Sequence, residues 1–245
     1  MLLISGALGD AAYYTKIADL LSNEFTTVTY DRRGNSRSTP PTGWSATSMD
    51  EQADDAEALL EALGLVPAVV FGNSAGALIL LHMLLRNPNV VRGAIVHEAP
   101  LIAAVPSGQD FTKHFQERLQ QAGAQGAADL LAREFFGPGA FESLDMQTRT
   151  RMLGNAQLFF SIERQAFFFF TPDTQKLIDL KIPILVVVSE ESVKDPQRRF
   201  FHEASEWLAK QLKTDLHQFP GTHGGYLNQP KDFTETLRPL LKQLS

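Results

Sequence analysis

The sequence predicts an α/β protein built on a mostly parallel sheet of about six strands with helices on both faces. Three observations predict it. Short, β-branched, apolar runs of strand length recur along the chain, and segments with apolar residues at helical spacing alternate with them. Glycine, proline and serine punctuate the boundaries between the two kinds of segment. The chain has 245 residues, 44% of them hydrophobic, enough for one large domain with a sizeable core.

Taken in order, Leu2 to Ser5 forms the first strand and a helix follows near Ala11 to Ser22. Thr26 to Tyr30 is the second strand, leading into the turn-rich stretch Asp31 to Trp44. Ser48-Met49-Asp50-Glu51 is a capping box, in which a serine hydroxyl takes the N–H three residues on and the glutamate reaches back. The helix it opens carries Ala53, Ala56, Leu59, Leu60 and Leu63 at helical spacing. Ala68 to Phe71 is the third strand, and Ala75 to Leu85, almost wholly apolar, is the helix after it. Ala94 to His97, Ile184 to Val188 and Leu216 to Phe219 complete the sheet, with helices near Arg198 to Leu212 and Lys231 to Leu244.

Between Val105 and Pro172 the alternation breaks into helical sequence with no obvious strand, and 11 of the 17 phenylalanines lie there. Extra core would account for some of them. We read residues 105–175 as a helical lid lining an apolar pocket, with Phe135, Phe136, Phe159 and Phe160 as candidate substrate contacts. The core is then contributed by residues 1–104 and 176–245.

Composition narrows the function. A net charge of −6 with no basic stripe argues against a nucleic-acid partner. Without cysteine the chain has no disulfide, no thiolate nucleophile and no cysteine zinc site. The longest apolar runs fall well short of the roughly 20 residues of a membrane span. Met1-Leu2-Leu3-Ile4-Ser5 lacks a basic leader region, so the expected compartment is the cytoplasm. Oligomeric state is not legible.

Gly72-Asn73-Ser74-Ala75-Gly76 follows the third strand and opens an apolar helix. A serine there sits on a sharp turn that projects its hydroxyl, and side chains at the flanking glycines would clash. Serine is a poor nucleophile until a base takes its proton, and the base needs an acid to orient it. Of six histidines, His223 lies in the glycine-rich loop Pro220-Gly221-Thr222-His223-Gly224-Gly225, after the last strand. That loop shares the carboxyl edge of the sheet with Ser74, where ligands bind in parallel sheets. His82, His114, His202 and His217 read as structural or solvated, and His97 neighbours a better candidate.

These residues resemble the α/β-hydrolase superfamily over nearly the whole chain. Ser5-Gly6-Ala7-Leu8-Gly9 stands at the family's His-Gly-x-x-Gly oxyanion loop, with serine for histidine. Asp31-Arg32-Arg33-Gly34-Asn35-Ser36-Arg37-Ser38 resembles the Asp-x-Arg-Gly-x-Gly-x-Ser turn, departing at Asn35 and Ser36. The resemblance implies an α/β-hydrolase fold lacking its N-terminal hairpin, a serine hydrolase active on esters or lactones, and an oxyanion hole formed by the backbone N–H groups of Ala7 and Ala75. It also implies that no metal or organic cofactor is needed.

One departure concerns the acid. The family's usual aspartate position is occupied by Ser192, in Ser189-Glu190-Glu191-Ser192, and Glu190, Glu191 and Asp195 read as a charged, solvated loop. His97-Glu98-Ala99-Pro100, at the end of the preceding strand, resembles the segment that supplies a triad glutamate in the zearalenone lactonase branch. The expected triad is therefore Ser74, His223 and Glu98. A cofactor-free perhydrolase or carbon–carbon bond hydrolase would use the same groups, and a ligand-binding receptor could retain them in a near-silent site.

Overall fold

The computed structural model describes residues 1–137, 139–195 and 198–244, with the side chains of residues 115, 124, 125, 128, 130, 131, 134 and 140 left aside. Pro138 and the Phe115 side chain of the expected lid, together with Pro196, Gln197 and Ser245 of the expected second core part, lie outside that description.

Six parallel strands form the sheet: β1 (Leu2–Ile4), β2 (Val28–Thr29), β3 (Ala68–Asn73), β4 (Val91–His97), β5 (Ile184–Ser189) and β6 (Leu216–Phe219), in the spatial order β2-β1-β3-β4-β5-β6. β3 and β5 are buried along their whole length, which explains their unbroken apolar runs. β2 is shorter than the expected Thr26 to Tyr30. It is an edge strand whose one partner, β1, has three residues, so the ladder ends after Leu2 opposite Val28 and Leu3 opposite Thr29.

The first helical segment divides. Asp10 accepts the Ala12 N–H and closes a 3₁₀ turn over Ala11–Tyr14, from which α1 (Thr15–Leu21) continues. Ser48 caps α2 (Met49–Ala62) by accepting the Glu51 N–H, the serine half of its capping box, while the Glu51 carboxylate accepts from Trp44 Nε1 and the Thr47 hydroxyl. α3 (Ala75–Arg86) leaves directly from the Ser74 turn. After β4 come α4 (Ser107–Phe136), bent at Gly123, then α5 (Ala140–Ser143) and α6 (Met146–Leu158). A π turn at Phe159–Glu163 leads into α7 (Arg164–Phe168) and α8 (Thr174–Asp179). The expected charged loop after β5 is instead a short helix, α9 (Glu190–Lys194), whose Ser192 is buried while its glutamates face outward. α10 (Arg199–Leu212), α11 (Gly225–Asn228) and α12 (Pro230–Leu244) complete the chain.

α1 packs on α12, tied at the surface by Arg238 to Glu24 at 2.7 Å. α2 packs on α3, α3 on α8, and α8 on α10, forming a second helical layer. The carboxyl ends of β1, β3, β4, β5 and β6 open toward the long insertion, and the chemistry-bearing loops converge there. No helix among the described residues is long and apolar enough to cross a membrane.

Candidate active site

Ser74 joins β3 to α3 with φ 53° and ψ −121°, a strained conformation for any residue but glycine. The neighbours explain both glycines of the motif. A Cβ on Gly72 would fall on the Gly76 carbonyl oxygen, and one on Gly76 would fall on the Ile4 carbonyl oxygen of β1. The turn can therefore be this tight only with bare backbone on each side of Ser74. Of the five non-glycine residues with positive φ among the described residues, Ser74 and Glu98 are the two that are buried, each held where surrounding contacts over-determine the backbone.

Glu98 is fully buried at the end of β4. Its Oε2 lies 2.5 Å from His223 Nδ1, and its Oε1 accepts the Ser189 N–H at 2.9 Å. Burial alone would raise this carboxyl. The hydrogen bond from His223, the adjoining His223 and His97 rings and the Ser192 hydroxyl outweigh it and hold the pKa at about 2. The carboxylate is thus ionised at neutral pH and fixes a proton on His223 Nδ1, leaving Nε2 as the basic nitrogen. Glu190 and Glu191 pair with Lys194 at the surface, and Asp195 with Arg198. The structure brings Glu98 to His223 and leaves these three carboxylates with those partners.

His223 is 3% exposed and stacks on Phe201, with ring centroids 4.4 Å apart and Phe135 at 5.5 Å. Both phenylalanines also line a cavity of about 40 Å³ with Ser74, Ala7 and Ala75, and Phe159 and Phe168 form other parts of its wall. Gly6 packs directly on Ser74 and Asn73, and Ala7 lines the same cavity as Ser74. Of the four phenylalanines singled out from sequence, Phe135 and Phe159 line the cavity. Phe136 packs edge-on to Tyr13 and covers Gly224, supporting the histidine loop from outside, and Phe160 packs against Phe159. A larger hollow, about 780 Å³, runs between the start of α4, α10 and β6. It is an open trough carrying charges of both signs and shares no residue with the Ser74 cavity, so we assign it no chemistry.

Sequence reasoning missed two buried devices. Arg32 is fully buried, and its guanidinium forks onto Glu163 of the π turn at 2.5 and 3.0 Å. The same guanidinium reaches the Gly6 and Ala7 carbonyls at 3.3 and 3.4 Å, so the expected oxyanion loop and the insertion are fastened through one side chain. The second device is the hydrogen-bond network around His97, taken up below. Arg32 stood in a recognisable turn motif, but nothing near it in sequence signalled Glu163.

Residues 1–192 match the family described as alpha/beta hydrolase fold. The chain belongs to the alpha/beta hydrolase family. As a hydrolase of that fold, it is 32% identical over 251 residues to the uncharacterized hydrolase YraK of Bacillus subtilis, covering 99% of this chain and 89% of that protein. It is 30% identical over 219 residues to the bifunctional esterase/perhydrolase DCH of Acinetobacter calcoaceticus, covering 83% and 77%. Among solved structures, a thermophilic esterase from Thermogutta terrifontis superposes with a TM-score of 0.75 at 20% identity, over 99% of this chain and 89% of the other. The N-acyl homoserine lactone degrading enzyme Est816 superposes with a TM-score of 0.72 at 21% identity, over 97% and 91%. These two likenesses establish the fold alone.

Proposed function

We propose that this hydrolase cleaves carboxylic esters or lactones with apolar acyl groups through an acyl-enzyme on Ser74. The observation that carries the reading is the buried Glu98–His223 pair, whose imidazole packs on walls of the same apolar cavity that holds Ser74 on its strained turn. In the first half-reaction His223 Nε2 takes the Ser74 hydroxyl proton as Oγ attacks the carbonyl carbon. The resulting oxyanion is met by the backbone N–H groups of Ala7 and Ala75. Collapse expels the alkoxide, which leaves as the alcohol with the proton from His223. In the second half-reaction His223 deprotonates a water that attacks the acyl carbon, and Ser74 departs with the returned proton. Glu98 holds the productive tautomer throughout and balances the imidazolium.

Residues 105–175 act in this reading as a lid. A volume of about 40 Å³ admits roughly three water-sized groups, so longer chains must displace phenylalanine side chains of that segment. Each methylene buried there should contribute about 0.8 kcal/mol. A glutamate placed after β4 also supports kinship with the zearalenone lactonase branch, and hence lactones as substrates. Perhydrolysis is a second reading, favoured by the printed activity of the Acinetobacter calcoaceticus relative. Hydrogen peroxide would then replace water as the attacking group and the product would be a peracid.

The test pairs a fluorophosphonate probe, mapped by mass spectrometry, with a panel of p-nitrophenyl esters of rising chain length and several lactones, with and without peroxide. Labelling at Ser74 together with turnover of one class is the expected outcome. A folded protein that neither labels nor turns over any of them would refute the reading in favour of a receptor with a silent site.

A further inference from the structure

The His97 imidazole is fully buried behind the site and has no part in the mechanism above. Both of its ring nitrogens are engaged. Asn73 Nδ2 lies 3.0 Å from Nδ1 and Ser189 Oγ lies 3.0 Å from Nε2. The amide orientation of Asn73 is fixed by Tyr226, whose hydroxyl donates to Asn73 Oδ1 at 3.0 Å. An amide nitrogen can only donate, so Nδ1 of His97 accepts and its single proton sits on Nε2, donated to Ser189. Ser189 in turn donates its hydroxyl to the Thr222 carbonyl at 3.0 Å.

The chain positions of these partners give the network its meaning. Asn73 immediately precedes Ser74, His97 immediately precedes Glu98, and Thr222 immediately precedes His223. Two backbone contacts reinforce the pattern. The His97 carbonyl accepts the Ser74 N–H at 2.9 Å, and the Ser189 N–H donates to Glu98 Oε1 at 2.9 Å. The His97 ring also lies nearly parallel to that of His223, with an interplanar angle of 22° and centroids 6.0 Å apart.

We propose that His97 is a positioning residue: a neutral imidazole, protonated on Nε2, that sets the mutual placement of Ser74, Glu98 and His223 by tying together the residues before each. The proposal rests on the triad reading given above. A doubly protonated ring would turn an Nδ1–H toward the Asn73 NH₂, two donors face to face, and the tie would break. Among the described residues the titratable groups beside the ring are Glu98 and His223, with Tyr226 one hydrogen bond further through Asn73. Phe71, Phe219 and Phe233 supply its other aromatic contacts. Burial lowers the His97 pKa to about 4, with nearby Glu98 opposing the shift and His223 adding to it, so the neutral form prevails at working pH.

The experiment uses the full-length protein, ¹⁵N-labelled, in three forms: wild type, His97→Phe and His97→Gln. Phenylalanine keeps a ring of similar shape and deletes both hydrogen bonds; glutamine keeps a donor for Ser189. In the wild type, the His97 ¹⁵N signals should report one unchanging neutral Nε2–H tautomer between about pH 5 and about pH 8. In His97→Phe, kcat per folded molecule should fall about 10- to 100-fold with KM within about threefold, as a displacement of about 1 Å in the reacting groups produces. The acid limb of kcat/KM should shift, and the downfield His223 Nδ1 proton signal should move or broaden. His97→Gln should recover about tenfold of the lost kcat and sharpen that signal. If His97→Phe does not fold, Ser189→Ala, which deletes the link from His97 Nε2 to the Thr222 carbonyl, decides with the same readouts: a fall in kcat with a moved His223 signal supports the tie, and wild-type values overturn it.

A His97→Phe protein with wild-type kcat, acid limb and His223 proton signal would overturn the proposal and reduce the network to packing. The proton signal is read without turnover, so it reports on the His97 tie even if Ser74→Ala remains active and the triad reading itself fails.

Discussion

Replacing Glu98 by glutamine changes one oxygen to an NH₂ group, and the surroundings dictate which one. Ser189 donates its N–H to Glu98 Oε1, so the carbonyl oxygen of the new amide stays on that side and the NH₂ faces His223 Nδ1. An NH₂ cannot accept, so His223 Nδ1 must, and the ring proton moves to Nε2, where it blocks the base. Flipping the amide would restore the tautomer but set two donors together at Ser189, at a cost of about 1–3 kcal/mol. That penalty alone corresponds to a loss of about 5- to 150-fold, and losing the carboxylate charge that balances the imidazolium deepens it toward about 10⁴-fold. We expect kcat to fall by about 10³ to 10⁴, with the fold intact. The assay is kcat on the best p-nitrophenyl ester across pH, beside circular dichroism and parallel Gln or Asn variants at Glu190, Glu191 and Asp195. A folded Glu98→Gln enzyme within about tenfold of wild type, or a larger loss at one of the other three carboxylates, would refute the reasoning.

Glu163→Gln removes one partner of the fully buried pair with Arg32 and should cost about 3–5 kcal/mol in urea unfolding, much of it regained in the double variant Arg32→Met with Glu163→Leu; a loss under about 1 kcal/mol would contradict the fastening role. The His97 pKa is lowered in the folded state, so between pH 6.5 and about 4 the unfolded chain binds the additional proton and stability falls as pH falls. At about 1.4 kcal/mol per unit this amounts to about 3 kcal/mol, measurable by denaturant titration at each pH, and it should be absent from His97→Phe. Phe159→Ala should enlarge the cavity and raise the octanoyl-to-butyryl ratio of kcat/KM several-fold, and an unchanged ratio would place the phenylalanine outside the acyl path.

The parts legible in sequence were those set by local chemistry. The apolar run before Gly72, the bare backbone around Ser74 and the apolar helix after it are mutually required, so strand, turn and helix could be read together. The Ser48 cap and the six-strand alternation were legible for the same reason. β2 was over-extended because an edge strand stops where its partner stops, and its register with β1 covers two residues, Val28 and Thr29. The carboxylates after β5 read as a loop because charge marks exposure but does not distinguish a short solvated helix from a turn. Arg32 with Glu163, and His97 with Ser189, meet across the fold from distant parts of the chain, and no periodicity encodes such a meeting. Phe111 and Phe201 were missed as cavity residues because one stands near the start of the insertion and the other on a core helix, while the clustered phenylalanines drew the attention.

The most direct test of the account is kcat/KM of Ser74→Ala on the best ester substrate, with the melting transition measured on the same sample. A loss on the order of 10⁶-fold with an unchanged transition is the predicted result, since in this account the Ser74 hydroxyl, at the wall of the cavity, carries the chemistry and little packing. Activity within about tenfold of wild type would contradict the acyl-enzyme and the site built around it.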